Sequence, residues 1–181
     1  MQISETIMLE PLADHHVAPV FRLIEQNRTN LKTWLQWVDN IHTEADFEQF
    51  LQGVKQRIAA KMALPFFIRH EGEIAGNIGL YHFDHLNKTA AIGYWLGEAF
   101  QGKGIITQAC RELIRYGFTE LALNRIELKC GIGNHKSQAI PERLGFTREG
   151  ILRQAELLNG GFQDLYLYSL LKQDWEKHSQ H

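Results

Sequence analysis

The heptad Gln101-Gly102-Lys103-Gly104-Ile105-Ile106-Thr107 joins two stretches of different periodicity. Before it, Thr89 to Leu96 alternates: Ala90, Ile92, Tyr94 and Leu96 share one face of an extended chain, and Ala91, Gly93, Trp95 and Gly97 share the other. After it, Ile105 to Leu123 places Ile106, Ala109, Cys110, Leu113, Ile114, Gly117 and Leu121 on one face at helical spacing. A strand, a tight glycine turn and a helix are therefore predicted in direct succession. The first turn of a helix carries free N–H groups and partial positive charge. Gly102 and Gly104 put no side chain in the way of a ligand. No carboxylate sits at this helix start, and Lys103 opposes the dipole unless an anion is present. The stretch reads as a phosphate site built from main chain, or as a plain two-glycine turn. A P-loop needs wider spacing, and a dinucleotide fingerprint needs a third glycine where Thr107 stands.

The remaining chain alternates strand and helix signals. Ile3, Ile7 and Leu9 suggest an opening strand, and Asp14 could cap a helix carrying Val17, Val20, Phe21 and Ile24. Pro19 predicts an irregular first turn there. Of Trp34 and Trp37, one is expected to pack and the other to be partly exposed, with a substrate groove as the alternative use. Thr43 to Asp46 resembles a capping box ahead of Phe47, Phe50, Leu51, Val54 and Ile58. Pro65 is expected to end a connection before a strand at Phe66–Ile68, with a hairpin turn at Glu71-Gly72-Glu73 and a strand from Ile74 to Phe83. Arg125 to Ile132 reads as a strand, Asn134 to Leu144 as a short helix interrupted by Pro141, and Phe162 to Leu171 as a closing strand after the Asn159-Gly160-Gly161 hairpin. The tail from Lys172 is polar and expected to fray. No repeat or linker interrupts residues 1–181, which predicts one domain with a mixed α/β sheet.

Composition excludes several classes. A net charge of -2 gives no global attraction to nucleic acid. No apolar run approaches a membrane span, and the N-terminus has no apolar signal segment. Cys110 and Cys130 fall in apolar runs and read as buried thiols in a reducing compartment. The expectation is a soluble, cytoplasmic protein without membrane or direct nucleic-acid partners. His82-x-Asp84-His85 has metal-ligand residue types but no accompanying cluster, so no metal is expected. His15 and His16 read as solvated residues.

In order, the chain presents the strand, the Gln101 turn, a helix, a strand, Asn134-x-x-Ser137 and Pro141-Glu142-Arg143-Leu144-Gly145-Phe146. This resembles the GNAT family of acetyl-CoA-dependent N-acetyltransferases. The Trp34–Val38 segment, Gly93-Tyr94-Trp95-Leu96 and Tyr166–Leu171 resemble its RimJ/RimL-type branch, which acetylates ribosomal-protein N-termini on serine or alanine. The resemblance implies a mostly antiparallel sheet of about seven strands, splayed between the strand ending at Leu96 and that beginning near Arg125. It implies acetyl-CoA as co-substrate, its pantetheine arm along Tyr94, Trp95 and Leu96 and its pyrophosphate on residues 101 to 106. Asn134 would hold part of coenzyme A, and Ser137 would lie near the thiol. Ile106 departs from the small residue common in the family and is expected to point into the core. A protein N-terminus would be the acceptor, and a homo-oligomer is possible.

Acetyl transfer needs a neutral amine, a donor for the developing oxyanion, a proton for the thiolate and alignment of both substrates. The N–H groups near Tyr94 and Leu96 are candidates for the second task and Ser137 for the third, a helix-start hydroxyl being the latter's alternative role. Glu156, in Gln154-Ala155-Glu156-Leu157-Leu158, is the candidate base, because apolar neighbours raise a carboxyl pKa; a solvated strand residue is the alternative. Related ribosomal acetyltransferases are thought to use a glutamate in the matching strand together with this serine. Glu98 reads as structural. The competing functions are acetylation of a small amine, such as a polyamine or an aminoglycoside, and acyl-CoA binding without catalysis.

Overall fold

The computed structural model describes residues 1–178. Strands β1 (Ile7–Pro11), β2 (Ala63–His70), β3 (Glu73–Asp84), β4 (Thr89–Leu96), β5 (Arg125–Gly131), β6 (Thr147–Leu158) and β7 (Gly161–Leu171) form one sheet in the order β1-β2-β3-β4-β5-β7-β6. Every neighbouring pair is antiparallel except β4 and β5. Helices α1 (Val17–Leu31) and α2 (Glu44–Ala59) cover one face, packing Val20, Ile24, Phe47 and Leu51 on Phe67. Helices α3 (Ile105–Thr119) and α4 (His135–Arg143) lie on the other, with Cys110, Leu113 and Phe118 against Ile92, Ile126 and Tyr168. The alternation read in Thr89–Leu96 sorts onto these two faces: Ala90 and Ile92 join the α3 core, and Trp95 the α2 core.

Local chemistry explains the boundaries. Thr43 caps α2 by accepting the Asp46 N–H at 3.1 Å, while the Asp46 carboxylate accepts the Thr43 N–H at 2.8 Å, a reciprocal capping box. Pro19 occupies the first turn of α1, where no N–H is required, behind a short 3-10 turn at Asp14–His16. Positive φ at Glu71 and Gly72, and at Asn159 and Gly160, closes the two expected hairpins.

Four expectations are corrected. Pro65 lies inside β2, not before it; β1 stops opposite Phe66, so the proline faces no strand on that side and no N–H is missed. Helix α3 ends at Thr119 because Ala122 takes a positive φ, although Leu123 remains in the core. Lys172–His178 forms a further helix, α5, whose Trp175 ring packs 5.4 Å from that of Phe118; residues 179–181 lie outside the described residues. His16 is 1% exposed, not solvated. Its Nδ1 accepts the Ala13 N–H at 3.1 Å and its Nε2 lies 2.8 Å from Glu10, which also receives Arg69 at 2.9 and 3.0 Å. That network holds the Glu10 carboxyl down to about 2, the Arg69 hydrogen bond being the main cause. Cys110 and Cys130 are buried, unpaired thiols, and burial pushes the Cys130 pKa up to about 11.

Candidate active site

Strands β4 and β5 pair only from Thr89↔Arg125 to Ile92↔Leu128. Beyond Ile92 the two strands keep their outer partners, β3 and β7, but lose each other. A wedge therefore opens between Gly93–Leu96 and Lys129–Gly131, its main-chain groups facing an empty strand position. The turn after β4 stands at the mouth of this wedge. Gly102 and Gly104 adopt φ of 76° and 72°, the left-handed region that only glycine enters without strain. Gly104 is the N-cap of α3, no side chain caps the helix, and its first turn holds no acidic residue. The first helical bond is from Gln108 N–H to Gly104 O at 3.1 Å, so the N–H groups of Ile105, Ile106 and Thr107 point outward ahead of it.

The side chains of this turn anchor it. Ile105 and Ile106 are buried in the α3 core, as expected for Ile106. Thr107 is 7% exposed and its hydroxyl receives Arg143 Nη1 of α4 at 3.1 Å. Gln101 Oε1 receives Lys136 Nζ, also of α4, at 2.9 Å, and Lys103 Nζ stands 5.6 Å from the Phe100 ring centroid. Two lysines thus flank a helix start with free N–H groups, an arrangement suited to an anion. Glu98 is structural: its N–H donates to Asn27 and its carboxylate accepts from Asn30, tying the turn to α1.

Across the wedge, Tyr94 reaches from β4 to α4. Its hydroxyl lies 3.0 Å from Ser137 Oγ and 3.1 Å from Ser137 O. Burial, with the buried Cys110 thiol second, pushes the Tyr94 pKa far up, so the phenol stays protonated. The Asn134 side chain caps α4 by accepting the Ser137 N–H at 3.1 Å. That bond occupies Asn134 Oδ1 and leaves its amide NH2 for other partners.

Glu156 pairs with Gln163 in the β6–β7 ladder, after a register shift beyond Leu152 where Gln154 takes a positive φ. Gly131, Leu165 and Leu152 pair across β5, β7 and β6, and Gln163 lies two residues from Leu165. Strand alternation therefore sets Glu156 on the face of Gly131, opposite to Cys130 and Tyr166. That is the α1–α2 face, whereas Ser137 lies on the α4 side. Glu156 is half-buried, and burial raises its pKa. On the Glu156 face the Trp34 ring lies over Gly131 and Gly133, so a Cβ on Gly131 would come within 3.3 Å of it. Trp37 stacks on Phe50 at 5.1 Å; both tryptophans are half-buried.

The structure thus gathers Gln101–Thr107, Tyr94, Ser137 and Asn134 on the α3–α4 side of the wedge. Glu156 lies on the opposite face of the sheet, on β6, with β7 between it and β5. Lys136, Arg143 and the Tyr94 hydroxyl were missed by sequence reasoning. Only Lys136 left a signal, as the residue just before Ser137; contacts spanning 36 and 43 residues leave none. Away from the wedge, Asp84 accepts from Asn87 and closes the local turn, and His85 Nε2 lies 2.9 Å from Lys61 O, between α2 and β2. Among the described residues, Glu10, His15 and His16 are close enough to share an ion, but Arg69 and His16 already occupy the carboxylate. Among the described residues, no helix is long and apolar enough to cross a membrane.

Comparison with known proteins agrees with this architecture. Residues 6–147 match the model of the acetyltransferase (GNAT) domain. The ribosomal-protein-serine acetyltransferase of Escherichia coli (strain K12) is 40% identical over 172 residues, 93% of this chain and 94% of that protein. A RimL ribosomal L7/L12 alpha-N-protein acetyltransferase, solved with coenzyme A, superposes with a TM-score of 0.91 at 30% identity, covering 96% of this chain and 98% of the other. The microcin C7 self-immunity acetyltransferase MccE, solved with acetyl-CoA and AMP, does so with a TM-score of 0.90 at 36% identity, covering 94% and 95%. The family model spans most of the chain and these relatives align along nearly all of it, so the chain belongs to the GNAT family of N-acetyltransferases.

Proposed function

We propose that this acetyltransferase transfers the acetyl group of acetyl-CoA to the N-terminal α-amine of a protein, with ribosomal proteins as the acceptor class. The observation that carries the reading is the wedge between β4 and β5, with the free N-terminus of α3 at its mouth. The pyrophosphate would rest on the N–H groups of the Gln101–Thr107 turn, and the pantetheine arm would fill the empty strand position beside Tyr94, Trp95 and Leu96. The amine gives a proton to Glu156 and attacks the thioester carbon, the N–C bond forms, and the C–S bond breaks. Ser137, itself hydrogen-bonded to Tyr94, donates a hydrogen bond to the departing sulfur, and the second proton shed by the new amide nitrogen converts the thiolate to the thiol of coenzyme A. The likeness to two ribosomal-protein acetyltransferases supports the acceptor class. Proton chemistry supports it independently. An α-amine titrates near pH ~8 and lysine near ~10.4, so one modest base suffices for the former. The test pairs a lysine-free peptide with a free N-terminus against a blocked peptide with an internal lysine. The first should be acetylated faster; the reverse order overturns the assignment.

A further inference from the structure

A cavity of about 350 Å³ lies between α2 and the sheet, on the Glu156 face. Gly93, Tyr94 and Trp95 form one wall, and these are the β4 residues just past the last pair with β5. The cavity therefore borders the β4 wall of the wedge, on the side away from the phosphate turn. Its floor is the Tyr81 ring, laid over two glycines: a Cβ on Gly79 would meet the ring at 2.8 Å, and one on Gly93 at 3.3 Å. Trp37 and Trp95, 6.2 Å apart, stand at its sides.

The lining specifies its occupant. The polar groups of the floor are satisfied within the protein: Tyr81 donates to Asn77 Oδ1 at 2.9 Å, and Asn77 Nδ2 donates to Phe66 O at 2.8 Å. Neither requires a polar partner. No carboxylate lines the cavity. Its one charged lining residue is Arg57, which has no ion-pair partner among the described residues. A second cation entering here would be desolvated without a counter-ion and repelled by the guanidinium. An apolar side chain would exchange water for aromatic surface.

Building on the proposed acetyl-CoA site, we propose that this cavity seats an apolar side chain from one of the first two residues of the acceptor chain. The same lining excludes polyamines and chain ends bearing lysine there. The enzyme would then select acceptors by apolar character next to the amine.

The experiment measures kcat/KM for the intact enzyme with peptides that differ only at their first two residues. Leucine, glycine or lysine is placed at each position in turn, and spermidine serves as a separate acceptor. Leucine at one of the two positions should exceed lysine there by about tenfold or more, the scale of a filled hydrophobic subsite. Arg57→Glu, an exposed change, should reduce that preference several-fold while leaving acetyl-CoA affinity unchanged by calorimetry. Equal rates for leucine and lysine at both positions overturn the proposal, as does faster turnover of spermidine than of any peptide. So does absence of peptide turnover by an enzyme that binds acetyl-CoA. Failure to bind acetyl-CoA at all would instead sink the reading of the wedge.

Discussion

In the proposed mechanism, Gly104 and Glu156 are the residues most exposed to single substitutions. Gly104 sits at φ 72° with only Gln108 Nε2 near its missing Cβ, at 3.9 Å. Space is therefore not the constraint; backbone conformation is. Gly104→Val should strain the turn, disorder the N–H groups ahead of α3 and weaken acetyl-CoA binding about tenfold or more. Calorimetric titration of a folded variant measures this, and unchanged affinity would remove the turn from the site. Glu156→Gln should lower kcat about 10²-fold with little change in acetyl-CoA affinity, the scale of losing a general base. A base must be deprotonated to act, and burial raises this carboxyl. The acid limb of kcat/KM should therefore lie above the ordinary glutamate range and vanish in the glutamine variant. A variant with near-normal kcat at every pH would show that another group takes the proton.

At the scale of elements, the capping box at Thr43 and Asp46 lends itself to a clean measurement. Both groups are exposed and far from the wedge in sequence. Thr43→Ala should cost about 1 kcal/mol. Tm should then fall by roughly 2–4 °C in a chain of this size. Activity at 25 °C should not change. This box was legible because both partners sit within one turn, as were the hairpins, whose turn residues declare their φ. The run from Thr89 to Leu96 was legible because period-2 alternation survives whatever the strand pairs with. By contrast, α5 was invisible: a polar segment of seven residues has little helical signal, and its Trp175 packs on Phe118 from far along the chain. His16 was misread for the same reason. Its ring packs 4.8 Å from that of Phe67, more than fifty residues away, and bonds Glu10. In the candidate site the turn was readable from its glycines, whereas the Tyr94–Ser137 contact depends on how α4 docks across the wedge.

At the scale of the whole molecule, two ion clusters fasten the outer strands. Glu10 is held at about 2 chiefly by Arg69, and Glu149 at about 2 chiefly by Arg125, with Ser169 adding a hydrogen bond. Both values lie below the ordinary 4.5, so folding favours the ionised carboxylates. Their contribution is complete above about pH 4.5 and is lost as pH falls toward 2. Denaturant midpoints should therefore drop across that window, and the drop should shrink in Glu149→Gln. The same midpoints at pH 5 and pH 3 would count against the clusters. The short run of four pairs between β4 and β5 has a further consequence. It makes the sheet two panels sewn by one brief seam, in which the donor's pantetheine amides would serve as the missing stitches. Ligand occupancy and mechanical continuity then become a single quantity. Hydrogen exchange at Gly93–Leu96 and Lys129–Gly131 should slow together when coenzyme A binds, while the β1–β2 border stays as it was. An enzyme of this construction would complete its own sheet only while it holds its substrate.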